Sequence, residues 1–110
     1  MKVLFIGDVV GEPGRRAIRE LVGKLKISEK LDFVIANSEN IAAGSGVTPS
    51  LADELFDSGV DVLTSGDHIW KKKEIVEFLD AEPKLLRPAN YPAGAPGSGW
   101  GIFRQKMAPK

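Results

Sequence analysis

The chain has 110 residues, enough for one domain that hides roughly two thirds of its unfolded surface and too few for a second. Lys plus Arg and Asp plus Glu balance at 15 each, so no global field draws the protein to nucleic acid or an anionic membrane, and any anion binding must be local. The lack of cysteine excludes disulfides and thiolate metal sites, and no apolar run approaches the roughly 18 residues of a membrane span; the default expectation is a soluble, cytoplasmic protein.

Lys2 to Ile6 reads as a first strand of the continuous apolar kind that is covered on both faces; the run is too brief for a signal peptide and meets Asp8 at once. Gly7 to Pro13 is a loop. Pro13 suits a helix's first turn, and Ile18, Leu21, Val22 and Leu25 recur at helical spacing to about Ile27 and give one buried stripe, with Arg15, Arg16, Arg19 and Lys26 available for the outside. Phe33 to Ala36 is a second strand, followed by a long loop from Asn37 to Val47. Thr48 caps the next helix, which opens on Pro49, places Leu51, Leu55 and Phe56 on one face and ends at Gly59. Val60 to Leu63 is a third strand, Lys72 to Asp80 a third helix with Ile75, Phe78 and Leu79 inward, and Lys84 to Leu86 a short fourth strand. Arg87 to Gly101 is a proline- and glycine-rich loop, and a last strand begins at Ile102, ahead of a Met107 to Lys110 tail.

Alternating strands and helices with short connections predict a parallel α/β sheet with right-handed crossovers. In such a sheet the carboxyl ends of neighbouring strands lie on one edge, about 4.8 Å apart. Three apolar runs stop there at polar clusters: VLFIGD at Asp8, FVIANSEN at Glu39 and Asn40, and VLTSGDH at Asp67 and His68. Three carboxylates, an amide and the only histidine on one edge suit a hard divalent cation with a titratable group beside it. Blander roles exist for each. Asp8 could bond its own turn, Glu39 could cap the Gly44 to Gly46 loop, His68 could be structural, and Arg15, Arg16 and Arg87 could neutralise the acids. GDVVGEPG matches neither GxGxxG nor a Walker loop, which leaves only the general affinity of a helix start for anions. Trp70 followed by Lys71, Lys72 and Lys73 reads as a ring packed on the loop and a solvated helix start. Arg87, Asn90 and Tyr91 of RPANYP are either substrate contacts or part of a proline-stiffened connector.

GDVVG at the first strand end, NSEN at the second, GDHIW at the third and RPANYP beyond them together resemble the YmdB-like metallophosphoesterases, relatives of the calcineurin-like phosphoesterases. The resemblance runs in order over nearly the whole chain. It implies a four-layer α/β sandwich holding two metal ions, iron or manganese, that hydrolyses phosphodiesters such as 2′,3′-cyclic nucleotides. It makes Asp8 a ligand of one metal, Glu39 the bridge, Asn40 a further ligand, Asp67 a ligand of the second metal and His68 the proton donor, with a metal-activated water attacking phosphorus. The family commonly carries asparagine where this chain has Asp67, which keeps an oxygen donor and adds a charge. Family members are more than twice as long, and their remaining ligands are histidines in the other half. The expectation is therefore a single partial domain over residues 1–110, about half of the sandwich, lacking the carboxyl-terminal half. Its partners would be a small phosphodiester or cyclic nucleotide and, to complete it, a second copy or a complementing carboxyl-terminal segment. Two other readings stand beside this one: a non-catalytic phosphate- or nucleotide-binding module, and an inactive truncated fragment. An uncovered last strand would leave the chain poorly stable or self-associating.

Overall fold

The computed structural model describes residues 1–105. Its elements in order are β1 (Val3–Ile6), α1 (Gly11–Ser28), β2 (Phe33–Asn37), α2 (Pro49–Asp57), β3 (Val62–Thr64), a 3₁₀ turn (Asp67–Trp70) and α3 (Ile75–Ala81). The three strands form one parallel sheet in the order β1-β2-β3, with Val3 opposite Phe33, Ile6 opposite Ala36 and Ala36 opposite Leu63. Two successive right-handed crossovers in that order put α1 and α2 on the same face, where they touch. The core lies between: Val34, Ala36 and Leu63 from the sheet meet Ile18 and Val22 of α1 and Ala52 and Leu55 of α2, with Leu4 and Ile6 at the margin. None of the helices is long and apolar enough to cross a membrane, among the described residues.

Local chemistry explains where the elements start and stop. Thr48 caps α2 as expected, its Oγ1 accepting from the Leu51 amide at 3.3 Å. The same helix ends in a Schellman turn: Gly59, at φ 112°, donates to the Phe56 carbonyl and Val60 to that of Leu55. Val60 is thereby spent on the helix end, so β3 begins at Val62 rather than at Val60. Helix α1 starts two residues before Pro13, whose missing N–H costs nothing within the first turn. The third helix starts at Ile75 rather than Lys72, because Lys71, Ile75 and Val76 close three-residue turns onto His68, Lys72 and Lys73. Three adjacent lysines at the positive end of a helix dipole disfavour a regular first turn.

Four expectations need correction. Leu21 is half exposed rather than part of the buried stripe of α1, because it lies over the open β1 margin of the sheet. Lys84 to Leu86 is not a full strand; it extends the sheet by a single bridge to Leu63, and Leu86 bridges Ser98. Residues 102–105 form no strand, Ile102 is exposed, and Phe103 instead lies against Phe33 with ring centroids 6.5 Å apart. The Met107 to Lys110 tail lies outside the described residues. Finally, β1 is not covered on both faces: Val3 is 49% and Phe5 61% exposed, because both helices sit on the other side and β1 is the sheet's edge. A parallel sheet ordinarily has both faces covered. The open apolar edge is thus β1, not the chain's last strand.

Candidate metal centre

The carboxyl ends of β1, β2 and β3 do meet on one edge, and hydrogen bonds between their loops set the spacing. Val9 donates to the Asn37 carbonyl at 3.2 Å and Gly11 to that of Asn40 at 2.9 Å, so the Asp8 loop runs beside the NSEN segment. Buried Ser38 ties that segment to β3: its amide and its hydroxyl both donate to the Thr64 carbonyl, at 2.8 and 3.0 Å. Asp8 has φ of 22°, a conformation that side-chain-bearing residues seldom adopt and that is concentrated at functional sites.

On this frame Asn40 joins the first and third clusters. Its Nδ2 donates to Asp8 Oδ1 at 2.7 Å, and its Oδ1 meets His68 Nδ1. A carboxylate only accepts, which fixes the amide's orientation, and an amide oxygen only accepts, which puts the imidazole proton on Nδ1. His68 Nε2 is therefore the ring atom free to exchange a proton with a ligand. Glu39 Oε2 lies 3.6 Å from the same Nδ1. Ligand atoms of Glu39, Asp67 and His68 all fall within 4.8 Å of one another. Donors about 2–2.2 Å from one cation stand roughly 3–4.4 Å apart, so the Glu39 and Asp67 carboxylates suit one divalent ion after a small side-chain adjustment, with the imidazole beside it.

Electrostatics favour the same reading. Among the described residues no lysine or arginine pairs with Asp8, Glu39 or Asp67. Of the arginines that could have neutralised them, Arg15 pairs with Glu12 and Glu54 and Arg16 with Glu20, while Arg87 makes no ion pair among the described residues. The Arg19 hydrogen bond, with Arg15 beside it, holds the Glu12 carboxyl below the usual range, against a smaller opposing desolvation. Converging carboxylates without a counter-charge repel unless protonated or cation-bound.

Of the RPANYP residues, Arg87 is buried and Tyr91 stacks edge-on against Trp70 at 5.4 Å, while Asn90 sits on the exposed turn beside them. Trp70 thus packs on the RPANYP loop through Tyr91, and the stems of Lys71 and Lys72 lie over Gly46. Sequence reasoning missed two participants. Gly66 is one: a Cβ there would stand 2.3 Å from Glu39 Oε1 and 2.6 Å from Oε2, so the glycine makes room for the acid. The glycine between a strand and an acid was the available signal, and it reads equally well as a turn. The other is Ser38, whose tie to Thr64 holds the NSEN segment in place.

A parallel α/β unit with an acid, amide and imidazole set on its carboxyl edge has the architecture of the metallophosphoesterase fold. A crystal structure of a novel phosphatase from Mycoplasma pneumoniae superposes with a TM-score of 0.87 at 31% identity, over 96% of this chain and 39% of that one. A hypothetical protein from Thermus thermophilus gives 0.86 at 42% identity, over 94% and 40%. The chain belongs to the YmdB-like family, whose model matches residues 4–110. It is also 52% identical over 99 residues to the 2′,3′-cyclic-nucleotide 2′-phosphodiesterase of Bacillus subtilis (strain 168), covering 90% of this chain and 38% of that protein. The chain thus spans less than two fifths of the curated relative's length.

Proposed function

We propose that the chain carries the amino-terminal part of a metal-dependent phosphodiesterase site that acts on 2′,3′-cyclic nucleotides. The observation that carries this is the convergence of Glu39, Asp67 and His68 within 4.8 Å on the sheet edge, with no lysine or arginine paired to the acids among the described residues. The Bacillus subtilis relative's name supports the substrate class. Asp8, Glu39, Asn40 and Asp67 would hold two divalent ions, iron or manganese. Bound there, the ions would supply Lewis acidity toward the phosphoryl oxygens and make water a better nucleophile.

The chain's own residues have separate tasks. Asn40 accepts from Nδ1 and so holds the ring, and the Nε2–H of the doubly protonated imidazolium would donate the proton to the leaving alkoxide. Asp8 fixes Asn40 in turn, and Gly66 admits Glu39. Asp67, in place of a neutral amide, would add a negative charge to the ligand set. A full two-metal shell needs more donors than these four residues offer, and we assign the rest to a complementing segment or a second copy. The test is manganese- or iron-dependent hydrolysis of 2′,3′-cyclic AMP by the full-length protein. Activity that disappears in EDTA and falls at least a hundredfold in His68→Ala is expected. Turnover that is indifferent to metal, or undiminished in His68→Ala, overturns the reading.

A further inference from the structure

A second cavity, of about 380 Å³, opens between the turn that follows Arg87 and the turn from Gly97 to Trp100. Arg87, Tyr91, Ser98 and Trp100 line it, and Gly97 and Gly99 leave part of its wall as bare backbone. Arg87 is 7% exposed, yet its one side-chain hydrogen bond runs from Nη1 to the Pro88 carbonyl at 3.1 Å, and its Nε has no partner. Among the described residues no carboxylate comes within ion-pair reach of it, whereas Arg15, Arg16 and Arg19 each hold at least one. Removing a guanidinium from water without a counter-anion is costly, and its planar fork matches the oxygens of a phosphate.

The fold holds Arg87 firmly at this place. Its amide donates to the Ser98 carbonyl at 3.0 Å, and Leu86 before it is bonded to Leu63 of β3 and to the Ser65 hydroxyl. Arg87 therefore follows a residue tied to β3 just ahead of Gly66 and Asp67. Tyr91, on its wall, contacts Trp70 of the 3₁₀ turn that carries His68.

We propose that this cavity is an anion subsite separate from the cation centre. It takes a phosphate-type oxyanion of a nucleotide, with Arg87 as its counter-charge and Tyr91 and Trp100 beside the attached ring. The subsite rests on the phosphodiesterase reading only for the nucleotide; the anion is argued from Arg87 itself. The test is an NMR titration of the ¹⁵N-labelled 110-residue chain in EDTA with 3′-AMP, inorganic phosphate or adenosine. Saturable shifts of the Gly97, Ser98 and Gly99 amides and the Trp100 indole are expected with 3′-AMP, with adenosine at least tenfold weaker and phosphate competing. Arg87→Gln should weaken 3′-AMP at least tenfold. No saturable shift, equal binding of adenosine and 3′-AMP, or unaltered affinity in folded Arg87→Gln overturns the proposal. If that variant does not fold, the wild-type comparison of 3′-AMP with adenosine still decides. Because EDTA removes cations, failure here leaves the cation centre standing, and absence of metal binding leaves this subsite standing.

Discussion

Replacing Gly66 by alanine separates the needs of the fold from those of the metal centre. The new Cβ would lie 2.3 Å from Glu39 Oε1, 2.6 Å from Oε2 and 2.7 Å from Cδ. Restoring ordinary contact at about 3.4 Å requires the carboxylate to retreat by about 1 Å. The backbone at Gly66, with φ of −125°, accepts alanine, and the obstructing atoms end a flexible side chain. The fold should yield easily, with a stability change below about 1 kcal/mol. A metal ligand has far less latitude, about 0.2 Å, and changes beside ligands cost about 10–100-fold in affinity. Gly66→Ala should therefore bind Mn²⁺ about 10–100-fold more weakly than the wild-type chain while melting within a few degrees of it. Calorimetric titration with thermal melts measures both. Affinity within twofold of wild type would refute the argument, and so would a collapse of the melting temperature, which would make Gly66 a requirement of the fold.

Other outcomes follow from the same geometry. Leu55 is fully buried between sheet and helices, so Leu55→Ala should cost about 2–5 kcal/mol in urea unfolding. Asp61 Oδ2 accepts from the buried Val34 amide at 2.8 Å; Asp61→Ala should cost about 1–3 kcal/mol, and Asp61→Asn, which keeps an acceptor, distinctly less. Glu12 has a depressed folded pKa, so its contribution is present above the unfolded carboxylate pKa and is lost as pH falls through the folded one. Wild type should melt above Glu12→Gln at neutral pH, with the gap closing in acid. The open β1 edge, with Val3 and Phe5 exposed, should make the chain associate reversibly, and Phe5→Lys should reduce that association in sedimentation velocity. A wild-type monomer at high concentration would contradict this.

The strand ends were legible because each apolar run stops abruptly at oxygen-bearing side chains, a local signal that survives folding. The caps at Thr48 and Gly59 were legible for the same reason. What the sequence concealed depends on layers and loops rather than on neighbours. A continuous apolar run such as Lys2 to Ile6 suggests cover on both faces, but the exposure of Val3 and Phe5 follows from both helices falling on one side. Asn40's link between Asp8 and His68 required the β1 and β2 loops to run side by side, which Val10 and Asn40 achieve by bridging. The partners of Arg15 and Arg19 lie on α1 itself and on α2, and no spacing along the chain pointed to Glu54. Lys84 to Leu86 has the composition of a strand but gains only one bridge to β3.

The central claim is that the carboxyl edge of the sheet is a divalent cation site built on Glu39 and Asp67. Crystals of the chain soaked in Mn²⁺ and measured at the manganese absorption edge test it most directly. An anomalous peak is expected within coordination distance of both carboxylates, absent in Glu39→Gln. A map with no peak there, or a peak that persists in Glu39→Gln, would contradict it.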